Sequence, residues 1–293
     1  MAVVTWTAKD IPDQTGRTFV ITGANSGLGA EAAKAIGAAG GSVILACRST
    51  EKAQPVAREI GANATVARLD LADLSSVREF ADTVEKVDVL VNNAGVMAVP
   101  KGRTADGFEM QFGTNHLGHF ALTGLLLPKI ADRVVTVSSF AHATGKIDLD
   151  DLNYDRRRYE RWTAYGQSKL ANLHFAFELA RRLGRSGSTV SSMAAHPGYA
   201  STNLQSHTES VYDRIMSLTN RLVGQSASNG ALPELYAATS PDAASGAFYG
   251  PKDLGGLRGA PTLTKPFSKA RDESVSQALW IASEKLTGVT YDI

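Results

Sequence analysis

Short apolar segments rich in valine, isoleucine and threonine alternate with longer segments of helical periodicity over the first two-thirds of the chain. The short segments are typical of buried strands. Six strands are predicted, at Arg17–Thr22, Ser42–Cys47, Ala64–Leu69, Val87–Asn92, Arg133–Ser138 and Thr189–Ala194. Helices are predicted at Gly29–Ala39, Ala72–Glu85 and Ala164–Leu183.

This alternation predicts an α/β fold, in which right-handed crossovers join parallel strands and place helices on both faces of a doubly wound sheet. Several strands are apolar almost throughout, as expected when both faces are covered. After about residue 198 the pattern loosens, and a last helix is predicted at Ser268–Leu286. We expect a single domain over residues 1–293, with an insertion around 198–265 that covers a site built by the earlier strands.

Composition and charge indicate which partners are not expected and in which cellular compartment the protein is expected. The net charge of +1 gives no general electrostatic reason to expect nucleic acid or an anionic membrane. Cys47 is the only cysteine, which fits a reducing compartment and gives no support for a cysteine metal site. Met1–Gly16 lacks the pattern of a secretory signal, and the apolar stretch Phe120–Leu127 is far shorter than the roughly 20 residues of a membrane helix. The expectation is a cytoplasmic protein without a membrane anchor.

A glycine-rich turn joins the first predicted strand to the first helix. It spans Thr22–Gly29, and its residues that are predicted to bind a cofactor are Gly23, Asn25, Ser26, Gly27, Leu28 and Gly29. Backbone N–H groups and the positive end of a helix dipole at such a turn hold a pyrophosphate, and glycines allow close approach. The position of the turn therefore predicts dinucleotide binding.

The end of the second strand indicates which nicotinamide cofactor is bound. An NAD-selective site usually has an acidic residue there for the ribose 2′-hydroxyl. Arg48 stands there instead, and a guanidinium can pair with a 2′-phosphate through two N–H groups. The sequence therefore favours NADP(H) over NAD(H).

Candidate catalytic groups follow two later strands and lie on one helix. Tyr165 and Lys169 are four residues apart, so they share a helix face, and a nearby cation can stabilise a tyrosinate. Ser139 follows the fifth strand and could donate a hydrogen bond to a substrate oxygen, with Ser138 as the neighbouring candidate. The residues Asn92, Ala94 and Gly95 end the fourth strand at the same edge, where a cofactor could lie against the backbone.

Taken in chain order, the glycine turn, Asn92–Gly95, Ser139 and the Tyr165/Lys169 pair resemble the short-chain dehydrogenase/reductase family over about residues 16–285. The resemblance implies a Rossmann-type fold, with Tyr165 as proton donor or acceptor, Lys169 bonding the nicotinamide ribose and Ser139 polarising a carbonyl. It also implies further site residues: Asn115 in a proton relay, Asp70 and Leu71 near the adenine, and Pro197, Gly198 and Thr202 near the cofactor.

Within that family, the segments Ala46–Ser49, Asn115–Phe120 and Ser138–His142 are similar to the retinol dehydrogenase and protochlorophyllide reductase branch. The interval from Ser139 to Tyr165 is long for the family, so an insertion near 145–160 is expected beside the site. The resemblance implies hydride transfer between NADP(H) and an apolar aldehyde, ketone or alcohol.

Other functions stay open. One is a non-enzymatic NADP(H) sensor, and another is a nucleotide-sugar epimerase or dehydratase on a related fold. His116 and His119 lack further ligands at matching spacing, so no metal site is predicted. A homo-oligomer is compatible with the apolar face of residues 164–183.

Overall fold

A computed structural model describes residues 5–199 and 225–293. All of the strands in these ranges join one eight-stranded sheet in the order β3-β2-β1-β4-β5-β6-β7-β8. Strands β1 to β7 are parallel, and β8 is antiparallel to β7. The strands are β1 (Thr18–Thr22), β2 (Ser42–Cys47), β3 (Ala64–Arg68), β4 (Val87–Asn92), β5 (Ile130–Val137), β6 (Ser191–Ala195), β7 (Phe248–Asp253) and β8 (Arg258–Leu263).

Helices follow most of the strands and cover the sheet. They are α1 (Gly27–Ala38), α2 (Thr50–Ile60), α3 (Leu74–Thr83), α4 (Met110–Phe112), α5 (Gly118–Leu126), α6 (Arg161–Ser186), α7 (Ala227–Gly230), α8 (Leu232–Thr239) and α9 (Glu273–Thr287). A π-helical turn, Gly113–Leu117, links α4 to α5. Such turns are rare and are frequent at functional sites.

Successive residues of a strand contribute to different apolar clusters. Val89 and Val91 of β4 pack with α1, α2 and α8 on one face of the sheet, whereas Leu90 packs with α3, α5, α6 and α9 on the other. Alternating side chains of a strand point to opposite faces, and here both faces are apolar because both are covered. The predicted Rossmann-type, doubly wound α/β fold is confirmed.

The six predicted strands are present with small differences at their ends; β5, for example, begins at Ile130 rather than Arg133. Strands β7 and β8 were not predicted, because their glycines and prolines are typical of loops. Pro251 and Pro261 face each other in this antiparallel pair at the edge of the sheet, where a missing N–H is tolerated. Within the described ranges, no helix is both long enough and apolar enough to cross a membrane.

The structure describes the whole of the segment 144–160 and, of the segment 198–265, residues 198–199 and 225–265. Residues 225–265 form α7, α8 and the β7–β8 hairpin. The segment 144–160 packs on the N-terminal part of α6: Gln167 donates a hydrogen bond to the Leu152 carbonyl at 2.8 Å, and Asp151 accepts hydrogen bonds from the backbone N–H groups of Asp155 and Arg157. This long segment is therefore held by hydrogen bonds beside α6, the helix that carries Tyr165.

Candidate active site

The glycine turn is packed too closely to admit side chains at two of its positions. Gly23 has a φ of +68°, and a Cβ there would lie 2.9 Å from the Cβ of Ala94, after β4. A Cβ on Gly29 would lie 2.4 Å from Nδ2 of Asn93. The start of α1 therefore packs directly against the residues that follow β4. Because glycine has no side chain, the backbone of the turn is not covered at these two positions.

The start of α1 has free hydrogen-bonding capacity. Ser26, its N-cap residue, makes no side-chain cap hydrogen bond. Four other helices are capped by side chains: Ser49, Asp73, Glu160 and Asp272 accept hydrogen bonds from the first turns of α2, α3, α6 and α9. Helices α5 and α8, like α1, begin without a side-chain cap. The first-turn N–H groups of α1, which include those of Gly27 and Leu28, can therefore bind an anion together with the helix dipole. This arrangement fits the pyrophosphate of a dinucleotide.

Cys47 and Arg48 end β2 beside the glycine turn. The Cys47 thiol is buried and accepts backbone hydrogen bonds from Ala24 and Asn25, and burial raises its pKa to about 11. It is therefore a packing residue. Arg48 is exposed and lies next to the turn.

A buried hydrogen-bond network beneath the turn joins Thr22, Asn93 and His119, none of which was predicted to belong to the cofactor or catalytic site. The hydroxyl of Thr22 accepts hydrogen bonds from the N–H groups of Asn93 (3.0 Å) and Ala94 (2.9 Å). Nδ1 of His119 lies 2.9 Å from the Asn115 carbonyl, so it carries the proton, and the Thr22 hydroxyl donates to Nε2 at 2.9 Å. Burial lowers the pKa of His119 to about 4, which keeps the ring neutral in this role.

Two of the predicted cofactor residues direct their side chains into the protein. Asn92 is fully buried and donates a hydrogen bond to Thr123 on α5 at 2.9 Å. Leu71 is buried and its backbone lies against Gly118: a Cβ added to Gly118 would lie 2.4 Å from the Leu71 carbonyl oxygen. Asp70 is half-buried after β3, and its carboxylate accepts a hydrogen bond from Ala72. Asp70 therefore remains available at the edge, and Asn92 and Leu71 could meet a cofactor only through the backbone.

Asn115 lies in the π-helical turn and is fixed by its side-chain amide. Its Oδ1 accepts a hydrogen bond from the Val96 N–H at 2.8 Å, and its Nδ2 donates to the Val96 carbonyl and to the Ser168 hydroxyl, each at 2.9 Å. A Cβ on Gly95 would lie 3.1 Å from Oδ1 of Asn115 and 3.5 Å from Nζ of Lys169. The glycine therefore lets the asparagine and the lysine approach the same point after β4.

Tyr165, Lys169 and Ser139 are brought together. Tyr165 and Lys169 are buried on one face of α6, with Nζ of Lys169 5.8 Å from the centre of the tyrosine ring. Burial raises the pKa of Tyr165 to about 12, and a hydrogen bond with the Ser139 side chain counters this rise. Lys169 donates to the Val137 carbonyl at 3.2 Å, and burial lowers its pKa. This arrangement can hold a proton on Tyr165 and pass it to an oxygen next to Ser139.

The backbone of Ser139 is also held in place, by a hydrogen bond from His142. His142 donates from Nδ1 to the Ser139 carbonyl at 2.6 Å, and its Nε2 accepts from the Phe267 N–H at 3.4 Å. The β7–β8 turn lies close by, because a Cβ on Gly256 would be 2.8 Å from the Phe140 ring. The serine is thus held between β5 and the C-terminal hairpin.

Pro197 and Gly198 follow β6 at the same edge. The Pro197 carbonyl accepts a hydrogen bond from Gln225 at 2.7 Å, and Gly198 has a φ of +67°. A Cβ on Gly198 would lie 2.3 Å from the Leu257 carbonyl. Thr202 lies outside the described residues.

The two histidines considered for a metal are engaged separately. Nε2 of His116 lies 2.9 Å from the Ser283 hydroxyl on α9, and His119 belongs to the Thr22 network. In the part of the chain that the structure describes, no three His, Cys, Asp or Glu residues form a group that could hold a metal ion.

Comparison with known proteins gives consistent relatives. The short chain dehydrogenase family model matches residues 17–212. Human retinol dehydrogenase 13 is 42% identical over 294 residues, which cover 94% of this chain and 85% of that protein. Mouse polyprenol dehydrogenase is 37% identical over 297 residues, with 95% and 86% covered. The crystal structure of an uncharacterised protein from Mycobacterium paratuberculosis is 49% identical, with a TM-score of 0.87 and 99% and 100% of the two chains covered.

Proposed function

The chain belongs to the short-chain dehydrogenase family, and on that premise we propose that it is an NADP(H)-dependent oxidoreductase acting on an apolar alcohol or carbonyl compound. One observation carries the proposal. Ser139, Tyr165, Lys169 and Asn115 lie at the carboxyl edge of the sheet, beside the uncapped start of α1. Ligands of open α/β sheets bind at this edge.

The choice of NADP(H) is supported by the end of β2. Arg48 is exposed there, and the neighbouring Cys47 and Ser49 carry no negative charge. The first turn of α1 would hold the pyrophosphate, and Arg48 would pair with a 2′-phosphate. When bound, the nicotinamide supplies the hydride for reduction or accepts it in oxidation.

In reduction, Tyr165 donates its phenolic proton to the substrate oxygen, because its raised pKa keeps the hydroxyl protonated at neutral pH. Ser139, hydrogen-bonded to the tyrosine, polarises the same oxygen. The Lys169 ammonium, with Nζ 5.8 Å from the centre of the tyrosine ring, stabilises the tyrosinate that forms. Asn115 anchors the relay that returns a proton through Lys169. Oxidation uses these groups in the reverse order.

An apolar substrate is supported by side chains around this edge. Trp162, in the first turn of α6, has 42% of its surface exposed, and its ring packs edge-on against Tyr165 with 6.3 Å between the ring centres. Leu254, in the β7–β8 turn, is 57% exposed and has a φ of +50°, a conformation that is costly for leucine. The two relatives named above are dehydrogenases of retinol and polyprenol, which are apolar alcohols.

We also propose that the region around 198–265 covers the substrate. Its β7–β8 turn contacts Phe140, directly after Ser139, and the Tyr199 N–H donates a hydrogen bond to the Leu257 carbonyl at 2.8 Å. These contacts tie the chain after β6 to the hairpin. The described part of the region, residues 225–265, thereby lies next to the serine.

The test is oxidation of NADPH and, in parallel, NADH by the purified protein with carbonyl compounds from small polar ones to retinal and quinones. We expect turnover with apolar carbonyls and a preference for NADPH. Tyr165→Phe should lower turnover by about 100-fold or more while keeping NADPH affinity. Tyr236→Phe, on the other face of the sheet, is the matched control. A mutant Y165F that keeps wild-type turnover, or a protein that binds NADPH but reduces nothing in the panel, would contradict the proposal.

A further inference from the structure

Gln111 is a fully buried polar residue that lies one helical turn before Asn115. It belongs to the short helix α4, directly before the π-helical turn that contains Asn115. Because it is buried, each polar atom of its side chain needs a partner inside the protein. Its partners lie on three segments of the chain: the residues after β4, the segment 144–160 and the start of α6.

The side-chain oxygen of Gln111 holds the segment that follows β4. It accepts a hydrogen bond from the Ala98 N–H at 2.8 Å. Ala98 is buried and has a φ of +50°, a conformation that is costly for alanine, so this bond helps to maintain it. Two residues earlier, both polar atoms of the Asn115 side chain bond to the backbone of Val96. Gln111 and Asn115 therefore bind neighbouring backbone groups, as a paired strand would.

The side-chain nitrogen of Gln111 holds the start of the helix that carries Tyr165. It donates a hydrogen bond to the carbonyl of Arg161 at 2.9 Å, and Arg161 is the first residue of α6. In an α-helix this carbonyl also faces the N–H of the residue four positions later, which here is Tyr165. Gln111 is thus bonded to the helical turn that ends at the tyrosine.

The second hydrogen of that nitrogen reaches the segment 144–160. It is donated to the hydroxyl of Tyr159 at 2.9 Å. The proton of the Tyr159 hydroxyl can then go to the Val99 carbonyl at 3.0 Å or to Oε1 of Glu109 at 3.2 Å. The segment 144–160 is thereby joined both to Gln111 and to the chain after β4.

These bonds connect two sides of the proposed active site. Asn115 and Lys169 approach Gly95, at the beginning of the chain segment that Gln111 holds. Tyr165 lies on the helix that Gln111 also holds. The distance between the tyrosine and this segment decides whether the tyrosine hydroxyl reaches a substrate oxygen that is held beside it, and errors of about 1 Å are costly. One side-chain amide spans both sides.

We propose that Gln111 is a positioning residue for Tyr165: its side-chain amide fixes the start of α6 against the chain after β4, and the Tyr159 hydroxyl completes this link. In this role Gln111 touches neither substrate nor cofactor and acts on the reaction only through the tyrosine. The role in turnover rests on the proposed function, whereas the link between the two segments does not.

The first experiment compares kcat and NADPH affinity in the wild type and Gln111→Met, with kcat counted per NADPH-binding site. Methionine keeps the length of the side chain but makes none of these hydrogen bonds, so kcat should fall by about tenfold or more. The dissociation constant of NADPH should change by less than about twofold, because the phosphates would bind at the start of α1 and at Arg48. A wild-type kcat in Q111M would overturn the proposal.

Gln111→Glu adds a readout that a loss of folded protein would not give. A protonated glutamic acid can donate a hydrogen bond to an acceptor of Gln111, whereas a carboxylate cannot, and burial raises the pKa of a carboxyl group. Between about pH 9 and about pH 6, kcat of Q111E relative to the wild type should therefore rise by about fivefold, the usual worth of one hydrogen bond. The relative kcat of Q111M should stay constant. A constant ratio in Q111E as well would contradict the role of the donor.

Tyr159→Phe is a milder variant that leaves the amide of Gln111 in place. It removes only the hydroxyl between Gln111 and the Val99 carbonyl, so kcat should fall by about threefold at unchanged NADPH affinity. The matched control is Tyr249→Phe, which removes a hydroxyl bonded to the Ala244 N–H at 2.9 Å, on the face of the sheet opposite to α6. Y249F should keep the wild-type kcat. Equal losses of kcat in Y159F and Y249F would count against the proposal.

The second experiment needs no turnover. Amide hydrogen exchange of the full chain, followed by mass spectrometry, compares the wild type with Q111M. Exchange should become about tenfold faster both in residues 96–100 and in residues 161–165, because Gln111 joins them, and should not change in β1. Faster exchange in residues 110–115 alone would overturn the link. If the wild type reduces no carbonyl, the proposed function fails, and this measurement alone decides whether Gln111 joins the two segments.

Discussion

The hydroxyl of Ser138 donates a hydrogen bond to the backbone carbonyl of Lys169, with 2.8 Å between the two oxygens. This bond is buried and joins the end of β5 to α6 at the residue that carries the proposed catalytic lysine. The next serine, Ser139, is only half-buried and is hydrogen-bonded to Tyr165. The two adjacent serines thus make different contacts: Ser138 bonds to the backbone of α6, and Ser139 bonds to the side chain of Tyr165.

We expect Ser139→Ala to lower turnover by about 100-fold, because it removes the donor to the developing charge on the substrate oxygen. Ser138→Ala should keep the catalytic pH profile and lower the free energy of unfolding by about 1 kcal/mol, the usual loss for one buried hydrogen bond. Steady-state kinetics and urea unfolding of both variants give the comparison. A loss of turnover in S138A equal to that in S139A, with unchanged stability, would contradict this assignment.

Local patterns were sufficient to predict the first six strands, the glycine turn and the Tyr165 helix. Each of these is specified by neighbouring residues, such as the Val, Ile and Thr runs or the four-residue interval between Tyr165 and Lys169. The NADP(H) preference and the residue roles remain predictions. Strands β7 and β8 were not predicted, because proline has a low strand propensity. Pro251 and Pro261 are in strands here only through the pairing of β7 with β8, in which they face each other.

The supporting shell could not be predicted, since it depends on contacts between distant parts of the chain. Thr22 and His119 are 97 residues apart, and neither residue type signals the other. Asn93 rather than Asn92 faces the glycine turn, a distinction that the doublet in the sequence does not make.

Arg48 provides a test of cofactor choice. Arg48→Asp should weaken NADPH binding relative to NADH by about tenfold or more, because a charged hydrogen-bonded pair becomes a repulsion. Arg58→Asp, an equal charge change in the last turn of α2, should leave the ratio unchanged. Fluorescence titration with both nucleotides measures this ratio. The same ratio in R48D as in the wild type would remove Arg48 from the site.

Trp162 tests the nature of the substrate. If its exposed ring contacts an apolar substrate, Trp162→Ala should raise KM for long apolar carbonyls by about tenfold, in line with the burial of an aromatic side chain. KM for a small polar carbonyl should hardly change. Ile281→Ala removes an exposed apolar side chain from α9 and serves as the control. A uniform loss of turnover on all substrates would indicate that Trp162 supports Tyr165 rather than the substrate.

The buried histidines predict loss of stability in acid. His116, His119, His174 and His196 lie in the interior, where burial lowers their pKa to about 3 or about 4. Each is held by hydrogen bonds suited to a neutral ring, such as that between Nδ1 of His174 and the Ser276 hydroxyl at 2.8 Å. In the unfolded chain their pKa returns to about 6.5.

Below about pH 6.5 the unfolded chain therefore binds more protons than the folded protein, and the free energy of unfolding falls as the pH falls towards 4. Each histidine adds up to about 1.4 kcal/mol per pH unit to that slope. Urea unfolding at pH 7, 6 and 5 measures the slope, and His174→Gln should reduce it by about one histidine's share. The comparison of slopes, rather than of stabilities, separates proton uptake from the lost contact with Ser276. A slope unchanged in H174Q would mean that His174 is protonated in the folded protein and that its burial does not govern its charge.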